Sequence, residues 1–137
     1  MLKKFWNWFV KPEADGRRLN RDVAFIINSL REGHYGPIAP EVAADLRGDI
    51  DYVFNTFINR DEAFGHKRAL DHLKRMHGEA RRRRDQRALT SLTLAIIYIR
   101  AGALGDLGTP ARDAVDGYLS EFAHQAQEDS GALPPQG

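Results

Sequence analysis

The sequence predicts an all-α protein: an irregular bundle of four to five helices with a short amphipathic N-terminal helix and a disordered C-terminal tail. Three observations predict it. Apolar residues recur at three- and four-residue steps in five successive segments. No segment alternates apolar and polar residues as a half-buried strand does. The 137 residues are 42% apolar and 28% charged, the balance of one globular domain able to bury a core.

The chain divides into an amphipathic aromatic segment at 1–12, a helical body at 17–127 and a flexible tail at 128–137. In the first segment, MLKKFWNWFVKP, Leu2, Phe5, Trp6, Trp8, Phe9 and Val10 fill one broad arc of a helical wheel. Lys3, Lys4, Asn7 and Lys11 fill the other. PEADG (12–16) reads as a separator.

The first body helix is expected from Leu19 or Asn20 to Gly33, with Leu19, Val23, Ile26, Ile27 and Leu30 inward. A loop rich in turn formers, GHYGPIAP, follows. The second helix opens at Pro40, a residue suited to a first turn. Val42, Leu46, Ile50, Val53, Phe57 and Ile58 carry it to about Asn59. Asp61 is the expected N-cap of a third helix. Its seam would be Ala63, His66, Leu70, Leu73, His77 and Ala80.

The fourth helix, near Arg87–Ala101, is apolar on almost every side, the pattern of a helix enclosed by others. It is therefore the expected centre of the bundle, ended by Gly102, Gly105 and Gly108. Thr109 and Pro110 open the fifth helix as cap and first-turn proline, with Ala111, Val115, Tyr118, Leu119, Phe122 and Ala126 inward.

Composition excludes several chemistries. With no cysteine, the chain has no disulfide, thiolate nucleophile or thiolate metal site. A reducing cytoplasm fits this, and a position peripheral to the inner face of the membrane is the expected variant. The apolar stretch at the N-terminus is broken by Asn7, unlike a secretion signal. No run is long enough to span a bilayer; Ala88–Leu104 is short and contains Arg100. A phosphate loop, a Gly-x-Ser-x-Gly elbow and a dinucleotide fingerprint are all absent from the sequence. No catalytic residue and no cofactor are expected.

Charge is unevenly placed. Residues 1–12 carry three lysines and no acid. Residues 66–87 carry nine basic side chains against three acidic ones, a local +6, so a net charge of +1 leaves −8 on the rest. Two basic zones on an acidic body predict two surfaces that meet anions. The first is the N-terminal segment. Phe5, Trp6, Trp8 and Phe9 with Lys3 and Lys4 have the make-up of an interfacial helix, and equally of a cap on the body's own core, a subunit interface or a partner groove. The second is the stripe Lys67, Lys74, Arg75, Arg81, Arg82, Arg83, Arg84 and Arg87, with Arg68 beside it and Asp71 interrupting it. The stripe carries no interleaved aromatics of the kind that stack on bases. A solvated face paired with neighbouring acids is its plainest alternative reading.

His66 and His77 fall in the seam of the third helix, too far apart to share one ion on one helix. Glu62, one turn before His66, is the candidate second ligand; Asp49, Asp45 or His34 would have to complete the set. Glu121 and His124 have the spacing of one half of a di-iron motif, but the second copy is missing. The expected function is thus a non-enzymatic helical interaction or adaptor module that self-associates as a homo-oligomer or binds a protein partner. It would dock on an anionic surface or acidic partner, with peripheral membrane contact through the N-terminal helix. The alternatives are a nucleic-acid-binding regulator using the same stripe and a small metal protein or enzyme around His66.

Overall fold

The computed structural model describes residues 12–132, with side chains described over 15–122. Five α-helices and no strand occur among the described residues, so the all-α bundle is the fold of this chain. The aromatic segment expected to contact membrane or partner (Lys3, Lys4, Phe5, Trp6, Trp8 and Phe9) lies outside them.

Helix α1 runs Pro12–Arg31 and so begins earlier than the sequence predicts. PEADG is its first turn rather than a separator. Proline at the first helical position needs no N–H partner and has its φ already set. Gly16 is retained inside the helix by a close neighbour: a Cβ there would stand 3.0 Å from the Leu107 carbonyl oxygen. Leu19, Val23, Ile27 and Leu30 are buried in one stripe, as their spacing predicts. The helix stops at Gly33, which takes φ +77°. The His34 N–H then bonds the Ser29 carbonyl at 3.0 Å and the Gly33 N–H bonds Leu30 at 3.2 Å, satisfying two terminal carbonyls.

Helix α2 runs Ala39–Val53 and buries Val42, Ala43, Leu46, Ile50 and Val53. It widens into a π-helical turn, Phe54–Ile58. The turn rests on Gly65, where a Cβ would approach the Phe57 carbonyl oxygen to 2.6 Å. Asp61 does cap, but it caps the connecting turn. Its carboxylate accepts from the Ala63 and Phe64 N–H groups, each at 3.1 Å.

Helix α3 therefore starts at Gly65 and ends at Arg82. Its buried seam is Ala69, Leu73 and Ala80, with Leu70, Met76 and His77 at the edges. Ala63 and His66, expected in that seam, are exposed. Helix α4 runs Gln86–Ala103, capped by the Asp85 carboxylate on the Ala88 N–H at 3.0 Å. It is the apolar centre, packing most extensively on α3 and α2 and then on the C-terminal helix and α1. Leu92, Leu94, Ala95, Ile97, Ile99 and Ala101 are buried. Gly102 lies within α4, and the chain turns at Gly105 (φ +61°).

A 3-10 turn, Gly105–Gly108, leads into α5, Thr109–Ala132. Ala111, Val115, Tyr118 and Leu119 of α5 are buried, and the Tyr118 hydroxyl donates to the Ala39 carbonyl at 2.6 Å. Burial raises the Tyr118 pKa, so this hydroxyl keeps its proton. Helical backbone continues to Ala132, beyond the boundary at 127 that the sequence predicts; residues 133–137 of the expected tail lie outside the described residues.

Candidate anion-binding surface

Helices α3 and α4 form a hairpin whose tip carries four consecutive arginines. Arg81 and Arg82 end α3, Arg83 is its cap, and Arg84 takes a left-handed φ of +57°. The Asp85 N–H bonds the Ala80 carbonyl at 2.9 Å and the Arg84 N–H bonds Arg81 at 3.1 Å, the same paired closure that ends α1. Here an arginine occupies the left-handed position instead of glycine, at a steric cost of roughly 1 kcal/mol. The tight reversal keeps all four guanidinium groups at one end of the bundle.

Lys67, Arg68, Lys74, Arg75, Arg81, Arg82, Arg83 and Arg84 are all exposed. Lys67 reaches Asp71 at 3.4 Å and Arg68 reaches Asp61 at 3.8 Å, pairs open to solvent and worth little. Arg87 is committed elsewhere. It grips Asp45 of α2 through two bonds of 2.7 and 3.0 Å and ties the start of α4 to α2. Among the described residues, no carboxylate stands within 4.0 Å of Lys74 or Arg81–Arg84. These five cations are the part of the predicted stripe left available.

The structure also brings aromatics beside the stripe, which spacing along α3 does not reveal. Tyr52, Phe57 and His72 cluster at ring-centroid separations of 5.1, 5.5 and 6.2 Å. The Arg75 guanidinium lies 3.1 Å from His72 Nδ1. Burial, and then the charge of Arg75, lower the His72 pKa, so the ring is neutral at neutral pH. Phe57 follows Tyr52 by five positions; they share a face because the chain widens into a π-turn at Phe54–Ile58, a feature frequent at functional sites. The i,i+5 spacing of two aromatics was the available clue.

A cleft of about 350 Å³ runs beside the hairpin tip, lined by Asp45, Asp49, Glu79 and Arg83 among others. Burial, and then the neighbouring Asp45, push the Asp49 pKa up to about 6. The environment of this carboxyl resists its ionisation.

The metal candidates do not converge. His66 and Glu62 are both exposed, His77 instead bonds Thr93 at 3.2 Å, and His34 pairs with Glu32 at 3.2 Å. No group of three His, Asp or Glu side chains able to hold an ion occurs among the described residues. Glu121 pairs with Arg31 of α1; the His124 side chain lies outside the described set. No helix among the described residues is long and apolar enough to cross a membrane.

Fold and surface together define a class, an all-α bundle with a cationic hairpin tip. Compared with protein-family models, curated proteins and solved structures, the chain matches none.

Proposed function

We propose that this protein is a non-enzymatic helical interaction module that docks on an acidic protein partner through the tip of the α3–α4 hairpin. One observation carries the reading: Lys74 and Arg81–Arg84 are exposed and free of near carboxylates among the described residues, while the neighbouring Arg87 is held by Asp45. Strain supports it, because Arg84 occupies a backbone position that glycine would take at less cost. The cations are also interrupted by Asp71, Glu79 and Asp85. Discrete carboxylates on a protein can be arranged around those three acids. A phosphate backbone, charged every ~1.7 Å along its axis, would be repelled by them.

A second reading, a nucleic-acid-binding regulator, is favoured by one feature. The Tyr52–Phe57–His72 cluster offers ring faces next to Arg75, the pairing of stacking surface and cation that single strands use. Contact with lipid through the N-terminal segment remains the membrane-facing variant, and self-association its oligomeric counterpart.

The test uses the full chain and the variant Arg81→Gln/Arg82→Gln/Arg83→Gln/Arg84→Gln. Binding to polyglutamate, to a single-stranded RNA and to phosphatidylserine vesicles is measured over a salt series. Polyglutamate binding that drops at least tenfold in the variant is the expected result. RNA binding that also needs Tyr52 and Phe57 would establish the second reading instead. Equal binding of variant and wild type to all three probes sinks both.

A further inference from the structure

Helix α4 has one uncovered edge. Leu89, Thr93, Ile96 and Arg100 follow one another at three- and four-residue steps along it and are only half-buried or exposed. Helix α1 stands on one side of this edge and α3 on the other, without extensive contact between them. The result is a groove of about 630 Å³. Its floor is Ile96 and Ile97, its α1 wall carries Phe25 and Ile26, and His77 and Thr93 close the α3 side. Phe25, 67% exposed, is the most exposed large apolar residue among the described ones. A bundle whose most apolar helix lies open along one edge has a vacant position for one more helix.

We propose that this position is taken by the chain's own aromatic segment, residues Leu2–Val10, folded back along α1. Connectivity supplies the first argument. The segment ends two residues before Pro12, which opens α1, and the groove's α1 wall begins at Asp15 in the first turn of that helix, so no long linker has to be spanned. The residue before a proline is disfavoured in the helical region, so a change of direction at Lys11–Pro12, as the proposal requires, goes with the local preference of the chain. Length supplies the second. The α1 wall from Asp15 to Ile26 is about 16 Å long at ~1.5 Å per residue, and a helix over Leu2–Val10 is about 13 Å.

Chemistry supplies the third. Leu2, Phe5, Trp6, Phe9 and Val10 share an apolar arc that suits a floor of isoleucines. Asp15 and Asp22 on the groove wall suit the flanking lysines, and Arg18, Arg21 and Arg100 at its rim can lie over indole faces. Tethering adds to these. A segment joined directly to its site acts at an effective concentration near millimolar, so even weak apolar contact is held. This inference does not rest on the arginine tip.

Trp6 and Trp8 are the two tryptophans of the chain, so its tryptophan fluorescence reports on this segment alone. The experiment is acrylamide quenching of the full chain at low micromolar concentration, beside Phe25→Ser and Ile96→Glu. Seated in the groove, the wild-type tryptophans emit to the blue of free N-acetyltryptophanamide and quench several-fold more slowly. In both variants emission shifts red and quenching rises toward the free value, while far-UV circular dichroism stays helical. Should Ile96→Glu fail to fold, Phe25→Ser, which alters an exposed side chain, carries the test alone. Freely quenched wild-type tryptophans overturn the proposal. So do sheltered tryptophans indifferent to both substitutions. Shelter that disappears on dilution, in step with dissociation in the ultracentrifuge, assigns the groove to a second copy and overturns it as well. The Arg81–Arg84 variant should leave these spectra unchanged.

Discussion

The two long faces of α4 look alike in sequence and differ in the folded chain. On one, Leu94, Ala95 and Ile99 are fully or almost fully enclosed, and the backbone of Gly108 presses on Ala101. On the other, Leu89 is only half-buried, and Thr93 and Ile96 line an open groove. Both faces are isoleucine- and leucine-rich, so hydropathy does not separate them. What separates them is which neighbouring helix arrives: α2, α3 and α5 cover the first face, while α1 and α3 leave a gap over the second. An apolar helix specifies that it will be covered, but the cover is specified by the partners.

The largest effect that would sharpen this contrast is a truncation on each face. Leu94→Ala removes a side chain with no exposure and leaves a cavity. A loss of about 3 kcal/mol is expected in urea unfolding. Ile96→Ala, on the groove, should cost about 1 kcal/mol, because its side chain keeps part of its solvent exposure. Equal costs would show that Ile96 belongs to the same enclosed core as Leu94.

Gly108→Ala tests the closed end of the enclosed face. A Cβ at this position would fall 1.9 Å from the Ala101 carbonyl oxygen, and a backbone atom in a helix cannot step aside as a flexible side chain can. A destabilisation of about 2–3 kcal/mol is expected from overpacking, read as a lower urea midpoint. A variant melting with the wild type would mean that the 3-10 turn at Gly108 can move away from the backbone of α4 at no cost.

A smaller effect lies where α4 meets α2. Asp49 lines the cleft with Asp45, Glu79 and Arg83, and its pKa is raised to about 6 by burial and then by Asp45. A carboxyl whose pKa is higher in the folded chain than in the unfolded one favours folding when protonated. The benefit is full below the ordinary value near 4 and is lost as pH rises through about 6. Asp49→Asn should therefore stabilise at pH 7, by about 1 kcal/mol after allowing for solvent screening of a half-buried group. The advantage should vanish near pH 4. A variant no more stable than wild type at pH 7 would show that the cleft solvates the ionised carboxylate.

Much of this fold was legible because helical periodicity is a local signal. Leu19, Val23, Ile27 and Leu30 of α1, Val42, Leu46, Ile50 and Val53 of α2, and Ala111, Val115, Tyr118 and Leu119 of α5 are buried at the spacing the sequence predicts, and so are Leu92, Leu94, Ala95, Ile97 and Ile99 of α4. Failures came where a decision depends on something distant. PEADG reads as a break, yet Gly16 is retained in α1 by the close approach of Leu107 from another segment. His66 sits at seam spacing, but α3 begins only at Gly65 and leaves it exposed on the first turn. The basic character of α3 was plain in composition. That Arg87 is taken by Asp45 and that Tyr52 and Phe57 reach His72 follow only from packing between helices.

The smallest effect isolates the turn that sets α3 against α4. Helices α1 and α3 end in the same pair of hydrogen bonds, with Gly33 at φ +77° in one and Arg84 at φ +57° in the other. Gly33 adopts its conformation without a Cβ conflict, whereas Arg84 does not. Arg84→Gly should therefore stabilise the fold by about 0.5 kcal/mol. The gain from relieved strain is partly offset by the greater freedom of glycine in the unfolded chain. Gly33→Ala should destabilise by about 1 kcal/mol, for the converse reason. The two substitutions thus move the urea midpoint in opposite directions. If Arg84→Gly instead lowers stability, the guanidinium is engaged within the folded chain, and the tip has one cation fewer to offer a partner. If it raises stability and weakens polyglutamate binding together, the arginine is held in a strained position that the fold does not require, and the charge at the hairpin tip serves binding.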